Sequence, residues 1–309
     1  MIITITLNPA MDRTVIVDEL VLGEVNRVRE GRSDPGGKGI NVSRVLRELG
    51  TASLAMGFVA GSIGRFIEAS LNEIGIHDDF IHTDGPTRTN LSIVEAKSRR
   101  QTSLNEPGPP TDPRWVKALH SRIQRRLSEG AWVAMAGSVP PGVPSGIYAD
   151  LVTLVKRNKG LAVLDADGEP LALGVAARPH LVKPNLAELE RLVGRTLQGD
   201  DEISAAANGL HEAGITYVVV SLGAQGAIAV GPGETWRGYS PHVEAKSGVG
   251  AGDSLVAGLV QRLAEGRGLA EGLRLGIAAG AATAMAPGTM LCRREDVERL
   301  LPEVQIEPR

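Results

Sequence analysis

The sequence predicts an α/β fold: a mostly parallel β-sheet covered on both faces by helices, with a small antiparallel sheet set apart from it. Three observations carry this expectation. After Gly108-Pro109-Pro110, strand-like and helix-like segments alternate, the pattern of parallel strands joined by crossover helices. The 38 glycines follow no short period, so they read as tight turns between segments rather than as a fibrous repeat. The stretches from Thr14 to Arg29 and from Thr87 to Glu106 do not fit buried parallel strands and look like pieces of a separate sheet.

Ile3, Ile5 and Leu7 alternate with Thr4 and Thr6, so a strand opens the chain, and Asn8-Pro9-Ala10-Met11-Asp12 is expected to end it. Asp12 then lies just past a strand's carboxyl end, where open α/β sheets place ligands, although it equally fits a loop acid. Thr14 to Asp18 is short and β-branched, and Leu22 to Arg29 is of mixed polarity; both are assigned to the separate sheet. Asp34 to Asn41 is a glycine-rich turn. Val42, Val45, Leu46 and Leu49 follow at helical spacing, with Gly50 as the stop. Ala52 to Val59 reads as strand and Gly64 to Glu73 as helix. Leu91 to Ala96 and Gln101 to Asn105 flank the polar turn Ser98-Arg99-Arg100, a hairpin. A hairpin and a strand pair cannot bury two faces, so one face is expected to cover the site and the other to meet a second copy.

Beyond Pro110 the expected helices are Trp115 to Leu127, Ile147 to Arg157, one holding Leu186, Leu189 and Leu192, Ile203 to Glu212, one from Ser254 and one over Leu269 to Met285, and the Arg294 to Leu301 segment closes the chain. The expected strands are Trp132 to Ala136, Leu161 to Asp165, His180 to Val182, Tyr217 to Val220 and Ala227 to Val230. Asp165 and Asp167 read as loop acids after a strand.

Composition narrows the function classes. At 309 residues the chain can be one large α/β domain or two smaller ones, and 42% hydrophobic content supplies a sizeable core. Only 3% is aromatic, so that core is mostly Val, Leu, Ile and Ala. A net charge of −3 with no basic block argues against nucleic acid and acidic membranes as partners, while a small anionic ligand needs only local positive charge. The single cysteine, Cys292, excludes an internal disulfide and a cysteine-cluster metal site, and the six histidines have no metal-like spacing. The first residues show no basic region and no long apolar run, so neither a secretory signal nor a membrane span is expected, and the expected location is the cytoplasm.

The chemistry centres on Ser247-Gly248-Val249-Gly250-Ala251-Gly252-Asp253-Ser254. Leu255, Val256, Leu259, Val260 and Leu263 put one apolar face on the helix that follows. Small residues let a ligand approach the backbone, and the unpaired N–H groups of a helix's first turn attract anions. Gly36-Gly37-Lys38-Gly39-Ile40-Asn41 is a second such turn with a cation beside it, and it lacks the spacing of a Walker A loop. Ser221-Leu222-Gly223-Ala224-Gln225-Gly226 lies between two strands. Several anion sites on one sheet edge, with Asp253 at one of them, point to phosphoryl transfer to a hydroxyl: the acid accepts the hydroxyl proton and the amides steady the moving charge.

These stretches resemble a known family. Gly36-Gly37-Lys38-Gly39-Ile40-Asn41-Val42 and Gly250-Ala251-Gly252-Asp253-Ser254 are similar to the two signatures of the ribokinase-like (PfkB) carbohydrate kinases. Ala136 to Gly142, Val182 to Glu188 and Ser221 to Gly226 resemble its intervening blocks, in family order across nearly the whole chain. Leu7 to Val15, Gly23 to Val28 and Asn105 to Pro109 are most similar to the hexose-phosphate branch. The resemblance implies one ribokinase-like domain over residues 1–309: a three-layer sandwich with a mostly parallel sheet and a discontinuous β lid from about 13–33 and 87–106, through which two copies pair. It implies transfer from ATP, with Mg²⁺, to the 6-hydroxyl of D-fructose 1-phosphate. Tagatose 6-phosphate and fructose 6-phosphate stay open as substrates, as does a sugar-phosphate sensor that does no chemistry.

The resemblance also assigns residues. Asp253 is the expected base and Gly250, Ala251 and Gly252 the anion hole. Asp12, Gly37, Lys38 and Asn41 hold the sugar, and Arg27, Arg88, Asn90 and Ser138 its hydroxyls and phosphate. Lys183 and Asn185 face the ATP phosphates, and Glu188 helps position Mg²⁺ through water. Ser221, Gly223 and Gly226 line the nucleotide, and Gly288 lies near the adenine. Many relatives respond to K⁺, for which 247–249 and 281–290 are the candidate loops. Many also carry Asp-Thr before the Gly-Ala-Gly-Asp run, where this chain has Lys246-Ser247-Gly248-Val249. Plainer readings stand beside several of these: a solvated Lys38, a surface Arg88, Ser138 as a turn cap, and Glu188 as an acid that a helix N-terminus favours anyway.

Overall fold

A computed structural model describes all 309 residues. Taken in order, β1 (Ile2–Thr6) is followed by β2 (Ala10–Val17), β3 (Glu30–Gly36), α1 (Lys38–Glu48), β4 (Leu54–Val59), α2 (Gly61–Glu73) and β5 (His77–His82). Then come β6 (Arg88–Glu95), β7 (Gln101–Asn105), α3 (Pro113–Arg126), β8 (Trp132–Ala136), α4 (Ile147–Arg157), β9 (Leu161–Asp165) and α5 (Gly168–Ala176). The chain continues through β10 (Leu181–Val182), α6 (Leu186–Val193), α7 (Gly199–Glu212), β11 (Tyr217–Ser221), β12 (Ala227–Gly231) and β13 (Glu234–Tyr239). It closes with α8 (Ala251–Ala264), α9 (Leu269–Met285), α10 (Arg294–Leu300) and β14 (Gln305–Pro308).

The large sheet has ten strands in the order β14-β13-β12-β11-β10-β9-β8-β1-β4-β5. The seven from β11 to β5 run parallel, and β12 to β14 are antiparallel additions. Period-2 alternation in β1 explains the layering. Ile3, Ile5 and Leu7 join a core with Leu119 and Ile123 of α3, Leu151 of α4 and Ile203 of α7. Thr4 and Thr6 face α1 on the other side, where Thr4 Oγ1 and Ser43 Oγ lie 2.7 Å apart. That second layer, filled by α1, α8, α9 and α10, has its own core of Val45, Val256, Val260 and Leu273 among others. No helix is long and apolar enough to cross a membrane.

The smaller sheet, in the order β3-β2-β6-β7, leaves the large one at both of its insertion points, after β1 and after β5. Several expectations are corrected here. The small sheet is mixed rather than antiparallel, because β2 and β6, which come from its two insertions, pair in parallel at its centre. Asp12 lies inside β2, not in a loop beyond β1, because the chain turns at Asn8-Pro9 and resumes pairing at Ala10 with Gly36 and Arg88. The partner of β2 is Glu30–Gly36 rather than Leu22 to Arg29. It has no apolar alternation; backbone pairing holds it, and an edge strand tolerates Pro35. Residues 22–29 form an exposed loop, closed where Asn26 Nδ2 donates to Val21 O and Glu24 O.

β5, α5, β13 and β14 lie in segments read as connections. β5 (His-Asp-Asp-Phe-Ile-His) is a polar edge strand, and α5 carries Gly168, Pro170 and Gly174 against helix propensity, with Asp167 capping it through Gly168 N at 2.6 Å.

Candidate active site

The strands of the large sheet end together beneath the small sheet, and the head of α8 sits at that edge. Gly250 takes φ 79°, a conformation costly for any residue with a Cβ, and turns the chain into the helix. The N–H groups of Ala251, Gly252 and Asp253 have no acceptor within the chain. Asp253 is 5% exposed, and Asn41 Nδ2 of α1 donates to its Oδ2 at 2.8 Å. Glycines set the position of α8. A Cβ on Gly258 would meet Gly276 N at 2.5 Å, one on Gly276 would meet Leu255 O at 2.6 Å, and one on Gly280 would meet Ala251 O at 3.1 Å. Helices α8 and α9 therefore touch backbone to backbone, and this contact carries down to the helix head.

Sequence reasoning missed the group beside Asp253. Asp165, at the end of β9, is 1% exposed, and its Oδ1 accepts from Lys38 Nζ at 3.1 Å and lies 3.4 Å from Lys183 Nζ. It is a central residue of the site, whereas Asp167 caps a helix at its rim. The signal was the strand end itself, where ligand-facing residues concentrate. Burial, then the Asp165 charge, pushes the Asp253 carboxyl up to about 6, against Lys38, Asn41 and Lys183, which pull it down. For Asp165 burial works upward, but Lys183 and Lys38 outweigh it and hold the carboxyl below its ordinary value. Asp165 in turn holds Lys38 firmly protonated. Lys38 is thus the partner of a buried acid and not a freely solvated lysine.

The end of the cleft under the small sheet gathers Asp12, Asn90, Arg88, Asn8 and Ser138. Asn90 Nδ2 donates to Asp12 Oδ1 at 2.9 Å, and Gly36 is required there because a Cβ would fall 2.1 Å from Asp12 Oδ2. Burial raises the Asp12 carboxyl, offset in part by Asn90 and by the charges of Arg88 and Arg44. Arg88 donates to Glu106 O at 2.7 Å and Asn8 O at 2.9 Å, joining the β1–β2 turn to the exit of β7. It is neither a plain surface arginine nor a wholly free one; a guanidinium has five N–H donors, so some remain for a ligand. Asn8 Nδ2 donates to Ser138 Oγ at 3.1 Å, which places Ser138 at the cleft wall.

At the opposite end Asn185 and Glu188 form a capping box at the start of α6, each side chain accepting from the other's backbone N–H at 2.8–2.9 Å. One Glu188 oxygen is therefore already committed to the fold. Ser221 ends β11, and Gly223 and Gly226 follow it along the same wall. Gly226 also answers to packing, since a Cβ there would lie 2.1 Å from Gly238 O.

Two expected site residues are placed elsewhere. Arg27 is exposed on the 18–29 loop and does not line the cleft. Gly288 packs at φ 62° against Thr14 of β2, while its neighbour Thr289 reaches the cleft. The two loops considered for a monovalent cation do lie together: the N–H groups of Lys246 and Ser247 both donate to Ala284 O, at 2.7 and 3.1 Å.

All the other expected residues line one cleft of about 1270 Å³, above the usual volume of a single small-ligand site. The pattern of the pfkB family of carbohydrate kinases matches residues 3–296. The chain belongs to that family. Among pfkB relatives, a protein of Rhodobacter capsulatus named 1-phosphofructokinase is 38% identical over 90% of this chain and 88% of its own. A Mycobacterium tuberculosis protein named ATP-dependent 6-phosphofructokinase isozyme 2 is 36% identical over 99% of this chain and 90% of its own. Phosphofructokinase-2 of Escherichia coli, solved with substrates and products, superposes with a TM-score of 0.94 at 32% identity, covering 98% of each chain. The ribokinase of Thermotoga maritima shares the fold, with a TM-score of 0.77 at 21% identity over 97% of this chain and 99% of its own. The architecture of this pfkB kinase is therefore ribokinase-like, with helices on both sides of the large sheet and a separate small one.

Proposed function

We propose that the protein transfers the γ-phosphoryl group of ATP to the 6-hydroxyl of D-fructose 1-phosphate, releasing ADP and fructose 1,6-bisphosphate. The observation that carries the transfer is Asp253, a buried carboxylate beside three free helix-head amides. The choice of sugar is supported by the relatives named 1-phosphofructokinase. A second reading, fructose 6-phosphate as acceptor, is favoured by the M. tuberculosis relative. A coupled ADP assay across fructose 1-phosphate, fructose 6-phosphate, tagatose 6-phosphate and ribose separates these. No ADP with any of them returns the protein to the class of sugar-phosphate sensors.

In this reading Asp12, Asn90, Gly37, Lys38, Asn41, Arg88 and Ser138 hold the sugar phosphate under the lid. Asp253 takes the hydroxyl proton as the sugar oxygen bonds to phosphorus and the bond to the ADP oxygen breaks. The amides of Ala251 and Gly252 face the charge on the moving group. Lys183, Asn185, Ser221, Gly223 and Gly226 border the nucleotide. No group of three or more His, Cys, Asp or Glu side chains is placed to hold a metal, so a divalent cation fits here only with the nucleotide, with Glu188 reaching it through water. Bound that way, Mg²⁺ supplies neutralisation of the phosphate oxygens.

The lid exposes Leu22 (87%), Val25 (88%), Val28 (53%) and Leu104 (56%), an apolar surface suited to the lid of a second copy, and Arg27 lies within it. A homodimer formed there would bring Arg27 under cover. Two further outcomes are expected. kcat/KM should fall on the acid side through about pH 6, because Asp253 must be ionised to accept a proton and its carboxyl is pushed to about 6. A flat profile from pH 5 to 8 would exclude it as the base. Arg88→Met should raise KM for the sugar phosphate about tenfold or more, the scale of a lost charged hydrogen bond, with KM for ATP nearly unchanged. Equal rises in both would place Arg88 in folding rather than binding.

A further inference from the structure

Asp165 has a feature that a plain structural ion pair lacks. Both lysines meet at one of its oxygens, Oδ1, while no other group of the protein hydrogen-bonds to the buried Oδ2. Leaving a buried carboxylate oxygen unmet is costly, and such geometry persists where something else fixes it. Here the fixed elements are the head of α1, which carries Lys38, the segment between β10 and α6, which carries Lys183, and the end of β9 between them. Lys183 is 3% exposed, and its Nζ lies only 3.6 Å from where a Cβ on Gly252 would stand, over the open amides of α8. A lysine ammonium is a compact charge on a flexible stem, so its position is set by whatever holds it.

We propose that Asp165 is a positioning residue: it clamps Lys38 and Lys183 into one cationic pair at the head of α8, so that the transferred phosphoryl group meets two ammonium groups placed in advance. This rests on the reading of that helix head as the site of transfer. The clamp spans the two halves of the cleft, since Lys38 belongs to the sugar end and Lys183 to the nucleotide end. One carboxylate against two ammonium groups leaves a single net positive charge for the phosphates.

The clamp also bears on Asp253. The charged groups that face Asp253 are Asp165 from β9, Lys38 from α1 and Lys183 after β10. The face of α9 along the cleft offers only uncharged residues, among them Gly276, Gly280 and Ala284. Asp165 is the like charge in this set, so its loss should make Asp253 ionise more readily.

The test uses Asp165→Asn, which keeps the shape and removes the charge. Lysine reactivity toward an amine-acetylating reagent, read by mass spectrometry, reports the clamp without any turnover. Labelling of Lys38 should rise about tenfold, as expected for an ammonium that loses its carboxylate, while Lys117 and Lys156 stay unchanged. In the same variant kcat should fall by a larger factor than either KM rises, and the acid limb of the rate profile should move to lower pH. Unchanged Lys38 labelling, or an acid limb that stays in place, overturns the proposal. Should Asp165→Asn fail to fold, Lys183→Met reads the clamp from the other side. Lys38 then has Asp165 to itself, so its labelling should slow and the acid limb should move to higher pH; faster labelling overturns the clamp. If the wild-type protein releases no ADP with any hexose phosphate, the transfer reading fails by itself, and the labelling still decides whether Asp165 holds the lysines.

Discussion

Asp253→Asn should lose ~10²–10⁴ in kcat, the usual contribution of a positioned general base, while still binding ATP and sugar phosphate. The fold gives little reason for collateral damage. The only side-chain partner of Asp253 is Asn41, which donates to Oδ2, and an asparagine amide can turn its oxygen to that donor. Removing the charge should also stabilise the protein. An acid whose carboxyl rises from 3.8 to about 6 on folding favours the folded state fully only below pH 3.8, and that advantage is lost as pH rises through about 6. At pH 8 the ionised Asp253 therefore costs the fold about 3 kcal/mol relative to acid, and Asp253→Asn escapes that cost. Chemical denaturation at pH 5 and pH 8 checks this, with the variant's advantage larger at pH 8. A variant that turns over at near the wild-type rate would remove Asp253 from the chemistry. One that is inactive and also less stable at both pH values would show that its activity was lost through the fold.

Gly258→Val should destabilise the protein by about 3 kcal/mol and lower kcat with it. The Cβ alone would sit 2.5 Å from Gly276 N, which belongs to the backbone of α9 and cannot step aside as a side chain could. Relief requires α8 and α9 to separate. Because Ala251 and Gly280 are in the same line of contact, that separation reaches the head of α8, the proposed site of transfer, where a shift on the order of 1 Å can cost ~10² in rate. Urea unfolding and steady-state kinetics on the same preparation are the measurements. Unchanged stability would mean that the helices have room the structure does not show.

The layered α/β architecture was legible because it rests on periodicity, and the separate sheet because its segments break that pattern. Ile3, Ile5 and Leu7, or Val42, Val45, Leu46 and Leu49, carry their pattern in the residue types themselves. What escaped was held by partners distant in sequence. β3 has no alternation, and only its register with β2 makes it a strand. β5 and β14 are edge strands, free to be polar, and β13 carries Glu234, Arg237 and Gly238 in six residues. In the site the glycine turns were visible because they are local, while Asp165 was not, because it draws its meaning from lysines 127 residues before it and 18 after it. The helix crossing had a readable trace in Gly272, Gly276 and Gly280, a glycine at every fourth position along one face of α9.

The order of the large sheet has a consequence for how the molecule is made. β1 is flanked by β4 and β8, and from β9 to β14 every strand joins the edge its predecessor has just exposed. A chain emerging from the ribosome can therefore extend the sheet from one side without reopening pairs already made. The small sheet and the cleft wall that carries Asp12, Lys38, Arg88, Asn90 and Ser138 are complete by residue 138, whereas Asp253 arrives only with α8, after β13 has been laid down. A nascent or truncated chain that ends before residue 250 thus holds the Asp12, Lys38 and Ser138 side of the cleft without Asp253.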